Sequence, residues 1–508
     1  MGEKETRTLP FWKKAVFGTG DVYAGGGQQL VGFLYLFFLT DVVHLRPALA
    51  GLVLLVSKIW DAVSDPLFGV LSDRTRTRIG RRRPYFLAGT ILVFLSFASL
   101  WLPFRFGTQG GMFIFALVVW LFHETVCSMV LVPFYALGGD LTADYHERNA
   151  IMFSRLFIST FTVILVAVLP KIIVAQFAEP RLGYAVMGAG FGLLFALPWW
   201  AIFFTFREEA DHRSDPTLTV YTQVVEPLRI KSFRQLMLLF IAGYTAVDMM
   251  STVFVYYMTY YLQRSDFNLV LGALLIGQAA LLPIWLVLAK PLGKRNALIA
   301  GYAWWVAMIL LMAAVTPAWP SYAIYILAFL MGGGTGAAAF LPWAIFPDVA
   351  DVSELVYGAR RDGASGGFLT FARKCSTAVA GGLFGIALDL AGFVRPVEQM
   401  AGGVRKMIPQ PQPETALLVI RAALFLLPAL LVAFGITVAL RFKIDAAVQA
   451  KIREFLAYRR GETRGGNLPA TEVLSLTREL AGFDPVFPVP GLDPSREAAV
   501  ASEDGGRR

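Results

Sequence analysis

Charged residues and cysteines are both scarce in this sequence. Only 16% of its 508 residues are Asp, Glu, Lys or Arg, whereas a water-soluble chain of this length has about 25%. The two cysteines, Cys127 and Cys375, supply neither a disulfide framework nor a metal site, and the four histidines have no ligand spacing. Because no nucleophile–base pattern is visible either, the sequence argues against an enzyme.

Long apolar runs make up most of the chain. Hydrophobic residues account for 56% of it, and they form runs of about 20 residues or more, the length that a helix needs to cross a bilayer. We predict twelve transmembrane helices, at 15–40, 47–71, 84–103, 110–138, 151–177, 184–206, 233–262, 268–289, 297–316, 320–346, 364–393 and 414–441. Barrel strands are excluded because the runs are too long and lack strict alternation. The predicted fold class is an all-α membrane protein.

The net charge of +9 comes from basic residues in short loops. These residues lie at the N-terminus and after the second, sixth, eighth and tenth predicted helices, whereas most loops on the other side have few. Cytoplasmic loops are enriched in Lys and Arg, so both termini are predicted to lie in the cytoplasm, with the protein in the inner or plasma membrane. The same distribution argues against nucleic acid as a partner.

The longest central polar segment separates the predicted helices six and six. We predict an N-terminal half at 1–206, a cytoplasmic linker at 207–232, a C-terminal half at 233–441 and a cytoplasmic tail at 442–508. The tail is predicted to begin with an amphipathic helix on the membrane surface, at 444–458, and to be mostly disordered from residue 461 onward. Two such halves are typical of the major facilitator architecture, in which substrate binds between them near the midplane. We expect the monomer, surrounded by membrane lipids, to be functional.

One polar stretch interrupts the second predicted helix. Lys58, Asp61 and Asp65 are spaced i, i+3 and i+7, so they share one helical face. A charge near the centre of a membrane helix costs about 2.5–3.5 kcal/mol, so three on one face indicate an intramembrane polar site. The alternative is that these residues form ion pairs that only stabilise helix packing, or that their charged ends extend to the membrane–water interface. Asp73 and Arg74, where the basic loop begins, are candidate gating residues.

A second pair of carboxylates follows the fourth predicted helix. Asp140 and Asp144 are spaced i, i+4, and beside Asp61 and Asp65 they would supply oxygen ligands for Na⁺ or a site for a proton. The alternative is that they are ordinary charges at a helix end. Arg155 is a candidate to meet a substrate hydroxyl or carboxylate, to pair with Asp144, or to anchor its helix at the cytoplasmic surface.

Further candidates lie in the second half. Lys374 requires a carboxylate partner in the membrane, and the aspartates of the second and fourth helices are the natural choice. Asp351 either forms a cytoplasmic gate pair with Arg360 or Arg361 or is a solvated loop charge. Trp343 is a candidate for the cavity wall, with simple packing as the alternative.

Characteristic residues run from the second helix into the loop after it: Trp60-Asp61-Ala62-Val63-Ser64-Asp65-Pro66, then Gly69, Asp73, Gly80, Arg81 and Pro84. Together they resemble the glycoside–pentoside–hexuronide:cation symporter family, the melibiose permease type within the major facilitator superfamily. The resemblance implies that Asp61 and Asp65 bind the coupling Na⁺, Li⁺ or H⁺. It also implies that Asp144 lies near a shared sugar and cation site, that Arg155 faces the sugar, and that Lys374 interacts with the carboxylates.

The first helix departs from that family's pattern. Gly25 stands where the family has a sugar-binding aspartate. Asp21, one turn earlier, is one candidate substitute, and Gln28 is a candidate for a different ligand. Asp248 in the seventh helix is a further candidate for substrate binding, because first and seventh helices usually line such a cavity.

These patterns predict a secondary transporter that couples Na⁺ or H⁺ to the symport of a sugar or sugar-like solute by alternating access, without a cofactor. One alternative is a cation-coupled lysophospholipid transporter, because a eukaryotic branch of the family has that role. A second alternative, from another class, is a membrane sensor that does not transport.

Overall fold

The computed structural model describes residues 9–104, 106–141, 145–206, 226–357, 362–401, 404–459 and 470–484. Long helices follow one another along this part of the chain: α1 (Phe11–Val42), α2 (Pro47–Arg74), α3 (Arg83–Leu100), α4 (Gln109–Asp140), α5 (Tyr145–Ala175), α6 (Pro180–Thr205), α7 (Lys231–Tyr261), α8 (Phe267–Leu292), α9 (Lys294–Ala313), α10 (Ser321–Tyr357), α11 (Asp362–Leu390) and α12 (Glu414–Arg441). A single helical turn, Glu226–Arg229, precedes α7.

The predicted all-α membrane fold is confirmed. Among the described residues, 11 helices are long and apolar enough to cross a membrane, all of those above except α11. The helix α11 has 29 residues, of which Val379–Leu390 form a shorter apolar segment. It lies where the eleventh span was predicted and packs along α2 and α7.

The largest difference from the predicted boundaries is at the end of α10. The prediction ends this helix at residue 346, before a group of acidic residues, but it continues to Tyr357. Asp348 and Asp351 are buried, and basic side chains reach both carboxylates. Lys294 donates to Asp348 at 2.8 Å, and Arg453 lies 3.8 Å from Asp351. The acidic residues therefore extend the helix because partners remote in sequence neutralise them.

Two turns of α1 are wound as π-helix. The first, Val22–Gly27, ends in three glycines, and the second is Phe38–Val42. A Cβ atom added at Gly25 would lie 2.1 Å from the Ser159 hydroxyl, and one at Gly26 would lie 2.3 Å from a methyl group of Thr162. The glycines therefore allow α1 to pack closely on α5, as small residues do between membrane helices.

Among the described residues, the helices α1–α6, called here the N-terminal half, pack mainly through α3 against α6 and α2 against α4. The helices α7–α12, the C-terminal half, pack mainly through α8 and α9 against α10 and through α7 against α12. Contacts between the halves run from α1 to α7, from α2 to α11 and from α5 to α8. This pattern places an interface between the halves along the centre of the bundle.

One face of the bundle is closed by contacts between the halves. We call the side at which α1 begins and α12 ends the terminal face, and the opposite side the distal face. Near the distal face, the hydroxyls of Thr40 and Tyr256 lie 2.7 Å apart, and Tyr260 donates a hydrogen bond to the buried carboxylate of Asp41. These bonds tie the distal end of α1 to that of α7.

The helices α2 and α11 meet at the same level through glycines. A Cβ atom at Gly385 would lie 2.6 Å from the Pro47 carbonyl oxygen, and one at Gly51 would lie 2.8 Å from the Gly382 carbonyl oxygen. Because the opposing atoms belong to the backbone, they cannot rotate away. The distal closure therefore depends on the absence of side chains at these positions.

The segment between α11 and α12 adds a small β-hairpin to the helical fold. Strands β1 (Val397–Ala401) and β2 (Val404–Ile408) pair antiparallel, with Val397 opposite Ile408. Just before β1, Arg395 donates to the carbonyl oxygen of His44 at 2.7 Å. This bond is a further distal contact between the halves.

Another distal loop is held by an ion pair. Both side-chain oxygens of Asp266 accept hydrogen bonds from Arg264, at 2.9 and 2.6 Å, and the Tyr325 hydroxyl donates to the same carboxylate at 2.6 Å. The hydrogen bonds from Arg264 lower the pKa of Asp266 to about 2. The carboxylate is therefore ionised at neutral pH and joins the α7–α8 loop to α10.

The tail forms two helices, α13 (Ala446–Arg459) and α14 (Ala470–Ala481). The position of α13 matches the prediction, but its buried residues Ile452 and Phe455 face the protein, and the helix packs on α10. The helix α14 lies within the segment 461–508, for which the sequence predicts disorder over most of its length. Its apolar side packs on α7 and α10, and the Ser232 hydroxyl donates to the Leu480 carbonyl at 2.6 Å. Local composition concealed this helix because the stabilising surface belongs to other helices.

We predict that Gly385→Val disfavours the distal-closed state, because the new side chain would collide with the backbone of α2. With spin labels at Gly107 and Trp319, on distal loops of the two halves, double electron–electron resonance should measure a longer mean distance in this variant than in the wild type. Gly190→Val is the matched control, since a Cβ atom there has nothing within 4 Å. An unchanged distance distribution in Gly385→Val would contradict the assigned closure.

Candidate functional site

Two of the predicted site residues meet a serine of the neighbouring helix. Asp61 is buried and Asp65 half-buried, one turn apart on α2, and both approach α4. The Ser128 hydroxyl donates to Asp65 Oδ1 at 2.6 Å and lies 3.5 Å from Asp61 Oδ1. Ser64 Oγ lies 2.8 Å from the same hydroxyl. A serine thus stands between the two carboxylates, a position that the sequence did not reveal.

This arrangement supplies the ligands that a hard cation prefers. Two carboxylates and two hydroxyl groups offer only oxygen atoms, which suit Na⁺, and each carboxylate also accepts a proton. Among the described residues, no group of three or more His, Cys, Asp and Glu side chains is arranged to hold a metal ion. Asp144, predicted to join these carboxylates, lies outside the described residues, as does the side chain of Asp140.

Asp21 and Arg155 form an ion pair between α1 and α5. The guanidinium binds the carboxylate through two nitrogens, with Nε 2.5 Å from Oδ2 and Nη2 3.2 Å from Oδ1. It also lies 5.1 Å from the ring centres of both Phe134 and Tyr135. Of the partners predicted for Arg155, Asp144 is outside the described residues, and the partner that the structure shows is Asp21.

The packing of α1 explains the absence of a carboxylate at Gly25. An aspartate there would place its Cβ atom 2.1 Å from the Ser159 hydroxyl and 3.3 Å from the Ser159 Cβ. The side chain would therefore have to push α5 away. Asp21 lies directly before the π-helical turn and faces the same helix without this conflict. Gln28, directly after that turn, is solvent-exposed although it lies inside a membrane span.

A second polar group lies in the C-terminal half. Asp248 on α7 is 4.0 Å from Arg373 on α11, and that guanidinium lies 4.2 Å from the ring centre of Tyr244. The indole of Trp343 on α10 donates to the Tyr244 hydroxyl at 2.8 Å. Three helices thus converge on one cluster, and 38% of Trp343 is exposed to solvent.

Arg373 is a residue of this cluster that the sequence analysis did not single out. Its side chain lies against Asp248 and Tyr244. The sequence did not reveal this because the direction of a helix face depends on the rotation of the whole helix. The side chains of Lys374 and Lys58 lie outside the described part of the chain.

The predicted gating residues lie at the terminal face. Arg74 is exposed at the end of α2, and the side chain of Asp73 is outside the described residues. Asp351 is 6% exposed and lies 3.8 Å from Arg453 of the tail, whereas the predicted partners Arg360 and Arg361 fall outside the described residues. The tail was not among the predicted partners.

The polar groups lie at a similar depth in the bundle. Measured along each helix at about 1.5 Å per residue, Asp21 and Arg155 are about 15 Å from the terminal ends of α1 and α5. Asp65, Arg373 and Trp343 are roughly 13 to 21 Å from the terminal ends of α2, α11 and α10 by the same measure. Both halves therefore present ionisable and aromatic groups at the level where facilitator-type transporters bind substrate.

Comparison with known proteins agrees with this description. Residues 16–446 match the family model described as MFS/sugar transport protein, and the chain therefore belongs to that family. An uncharacterised symporter of Synechocystis is 28% identical, with 89% of this chain and 97% of the relative covered. A putative glycoside/cation symporter of Escherichia coli is 28% identical, over 76% of this chain and 85% of the relative.

Relatives with a different named substrate are also similar. A sodium-dependent lysophosphatidylcholine symporter of Danio rerio is 26% identical, with 87% of each chain covered. Among solved structures, an inward-facing bacterial homologue of the iron transporter ferroportin superposes with a TM-score of 0.59 at 14% identity, over 85% of this chain and 99% of that one, which shows the shared fold. The predicted family and the class of cation-coupled secondary transporter are confirmed, and the chain is an integral multi-pass membrane protein.

The Asp21–Arg155 pair yields a test of coupling between α1 and α5. Removal of one partner from a buried ion pair costs roughly 3–5 kcal/mol, so Asp21→Asn and Arg155→Gln should each lower the melting temperature in detergent. The melting temperature of the double variant should fall by clearly less than the sum of the two single decreases. Asp389→Asn combined with Arg155→Gln is the control and should be additive. Additive losses for Asp21 and Arg155 would show that the pair does not stabilise the fold.

Proposed function

We propose that this protein is a symporter that couples Na⁺ or H⁺ to the movement of a sugar or sugar-like solute by alternating access. The observation that carries the proposal is the placement of two polar groups at a similar depth: the carboxylates of Asp61 and Asp65 around Ser128, and the Asp21–Arg155 ion pair on α1 and α5. One group has the chemistry of a cation site, and the other has the chemistry that binds hydroxyl groups.

In this proposal the cation binds to Asp61 and Asp65. If the coupling ion is Na⁺, the Ser128 hydroxyl is a further oxygen ligand. If it is H⁺, one carboxylate is protonated and the Ser128 hydroxyl hydrogen-bonds to the other, which remains ionised. Two carboxylates one turn apart repel each other, so a bound cation lowers the energy of bringing the neighbouring helices together. Asp144 and Asp140 are proposed to join the site from the end of α4, and Lys374 and Lys58 to balance its charge.

The proposed solute site lies between the halves. Asp21, Arg155 and Gln28 contribute from the N-terminal half, and Asp248 and Arg373 from the other. Carboxylate and guanidinium groups together donate to and accept from sugar hydroxyls, and the partly exposed face of Trp343 provides an apolar surface for a sugar ring. A solute bound there would touch both halves, as alternating access requires.

A lipid-like solute is the second candidate, and one observation favours it. Phe153, Phe157 and Phe161 follow one another on α5, with neighbouring ring centres 6.2 and 5.0 Å apart, and each is more than half exposed. Arg155 lies on the same helix, between Phe153 and Phe157, so a lipid with an anionic headgroup would find a cationic group on the helix that carries the exposed aromatic row. The same row also fits contact with membrane lipid.

We further propose that the terminal face is cytoplasmic. The loop between α2 and α3 carries the basic residues Arg76, Arg78, Arg81, Arg82 and Arg83 on that face. Cytoplasmic loops retain such residues during insertion. With the distal face closed by Thr40, Asp41 and their tyrosine partners, the structure then corresponds to the inward-facing state, and the monomer contains every group that the proposal needs.

We predict that Asp65→Asn abolishes stabilisation by the coupling cation and that Ser128→Ala weakens it. In detergent, NaCl or LiCl should raise the melting temperature of the wild type relative to choline chloride, because a ligand at 100 times its dissociation constant adds about 2.7 kcal/mol. Ser96→Ala is the control, because Ser96 is a buried serine of α3 whose hydroxyl donates to the Val93 carbonyl oxygen of the same helix.

Transport is tested in proteoliposomes with an imposed Na⁺ or pH gradient. Uptake of melibiose should depend on the gradient in the wild type and fail in Asp65→Asn, whereas uptake of lysophosphatidylcholine alone would select the lipid candidate. Gradient-independent uptake, or coupling that persists in Asp65→Asn, would overturn the proposal.

A further inference from the structure

Two adjacent residues of α4 contact different parts of the proposed machinery. Ser128 bonds to the carboxylates of α2, and Cys127, one residue before it, contacts α1. We propose that this turn of α4 couples the cation site to the solute site, with Cys127 as the positioning residue for Tyr23 and Gln28. The inference rests on the proposed function, because it assumes that a cation binds at Asp61 and Asp65.

The thiol of Cys127 contacts both ends of the π-helical turn of α1. Its sulfur lies 2.8 Å from the Tyr23 hydroxyl and 3.4 Å from the Gln28 side-chain nitrogen. Cys127 and Tyr23 are 4% and 1% exposed. His123, one turn earlier on α4, lies 3.6 Å from the same sulfur. The contact between Cys127 and Tyr23 is therefore made in a closely packed environment in which small displacements are transmitted, whereas Gln28 is exposed.

The contacts require the unusual winding of this turn. Tyr23 and Gln28 are five residues apart, which in an α-helix would turn their side chains about 140° away from each other. The π-helical turn Val22–Gly27 brings both toward Cys127, since its wider winding, with i→i+5 hydrogen bonds, narrows the angle between the two side chains. If the turn rewinds as α-helix, one of the two contacts must break. The turn is thus an element with two distinct arrangements, which Cys127 biases toward the π form.

The winding of this turn also affects the proposed solute-binding residues on either side of it. Asp21 is the residue immediately before the turn, and Gln28 is the residue immediately after it. Rewinding the turn would rotate one relative to the other and would alter the pairing of Asp21 with Arg155. A cation that draws Ser128 toward the carboxylates moves Cys127 with it, because the two are on one rigid turn. Binding at one site thereby changes affinity at the other, and the linkage is reciprocal.

Hydrogen–deuterium exchange tests the inference without knowledge of the solute. Purified full-length protein is compared in NaCl, in LiCl and in choline chloride at two pH values, so that Na⁺, Li⁺ and H⁺ are each examined. In the wild type, the coupling cation should slow exchange in peptides that span residues 22–28 by about fivefold or more, the lower range of allosteric coupling.

Cys127→Ala should retain the cation-dependent rise in melting temperature but lose most of the protection in this segment. Cys127→Ser, which keeps a hydrogen-bonding group, should recover part of it. A residue that only fills space would give the same result for alanine and serine, so the rescue separates positioning from packing. Cys375→Ala, at the half-buried second cysteine on α11, is the control and should behave as the wild type.

The outcomes separate the inference from the proposed function. Cation-dependent protection of residues 22–28 that persists in Cys127→Ala would overturn the inference alone. The absence of any cation effect on melting or exchange in the wild type would overturn the cation site, and the inference with it. Loss of protection in Cys127→Ala, with the melting shift retained and serine rescue, would support it.

Discussion

A charge inside a bilayer needs a partner, and the arrangement of this protein depends on how that need is met. Asp21 is held by Arg155, Asp248 lies beside Arg373, and the carboxylates of α2 approach Ser128. Each of these contacts joins two different helices. The polar groups that the membrane penalises are therefore groups that also position the helices.

The close approach of helices is achieved by glycine rather than by large apolar side chains. At the distal face, Gly51 and Gly385 allow α2 and α11 to touch along their backbones, and Gly25 and Gly26 do the same for α1 and α5. Lipid tails are as apolar as leucine, so membrane helices gain most from shape and hydrogen bonding. Tyrosines and Asp41 add directional bonds to the distal contact.

The tail shows how a region outside the bilayer contributes to the bundle. Asp348, near the terminal end of α10, accepts hydrogen bonds from Lys294 and from Gln449 of α13, and Arg453 lies 3.8 Å away. Lys451 also pairs with Glu472 at 2.7 Å, which joins the two tail helices, and this bond raises the pKa of the lysine. The tail thereby neutralises acidic residues that would otherwise end α10 in solvent.

The amino-acid sequence alone determined the helical membrane fold, the approximate ends of the helices and the polar face of α2, because hydrophobic length and helical spacing are local properties. Only the tertiary structure decided which groups meet. It placed Asp21 with Arg155 and turned Arg373 toward Asp248. It also brought Ser128 to the carboxylates of α2 and Cys127 to Tyr23 of α1. Tertiary structure also decided that α14 forms and that position 25 has no side chain, because each packs on a helix more than a hundred residues away in the sequence. Local patterns state which face of a helix is polar, but the rotation and separation of helices depend on all their contacts together.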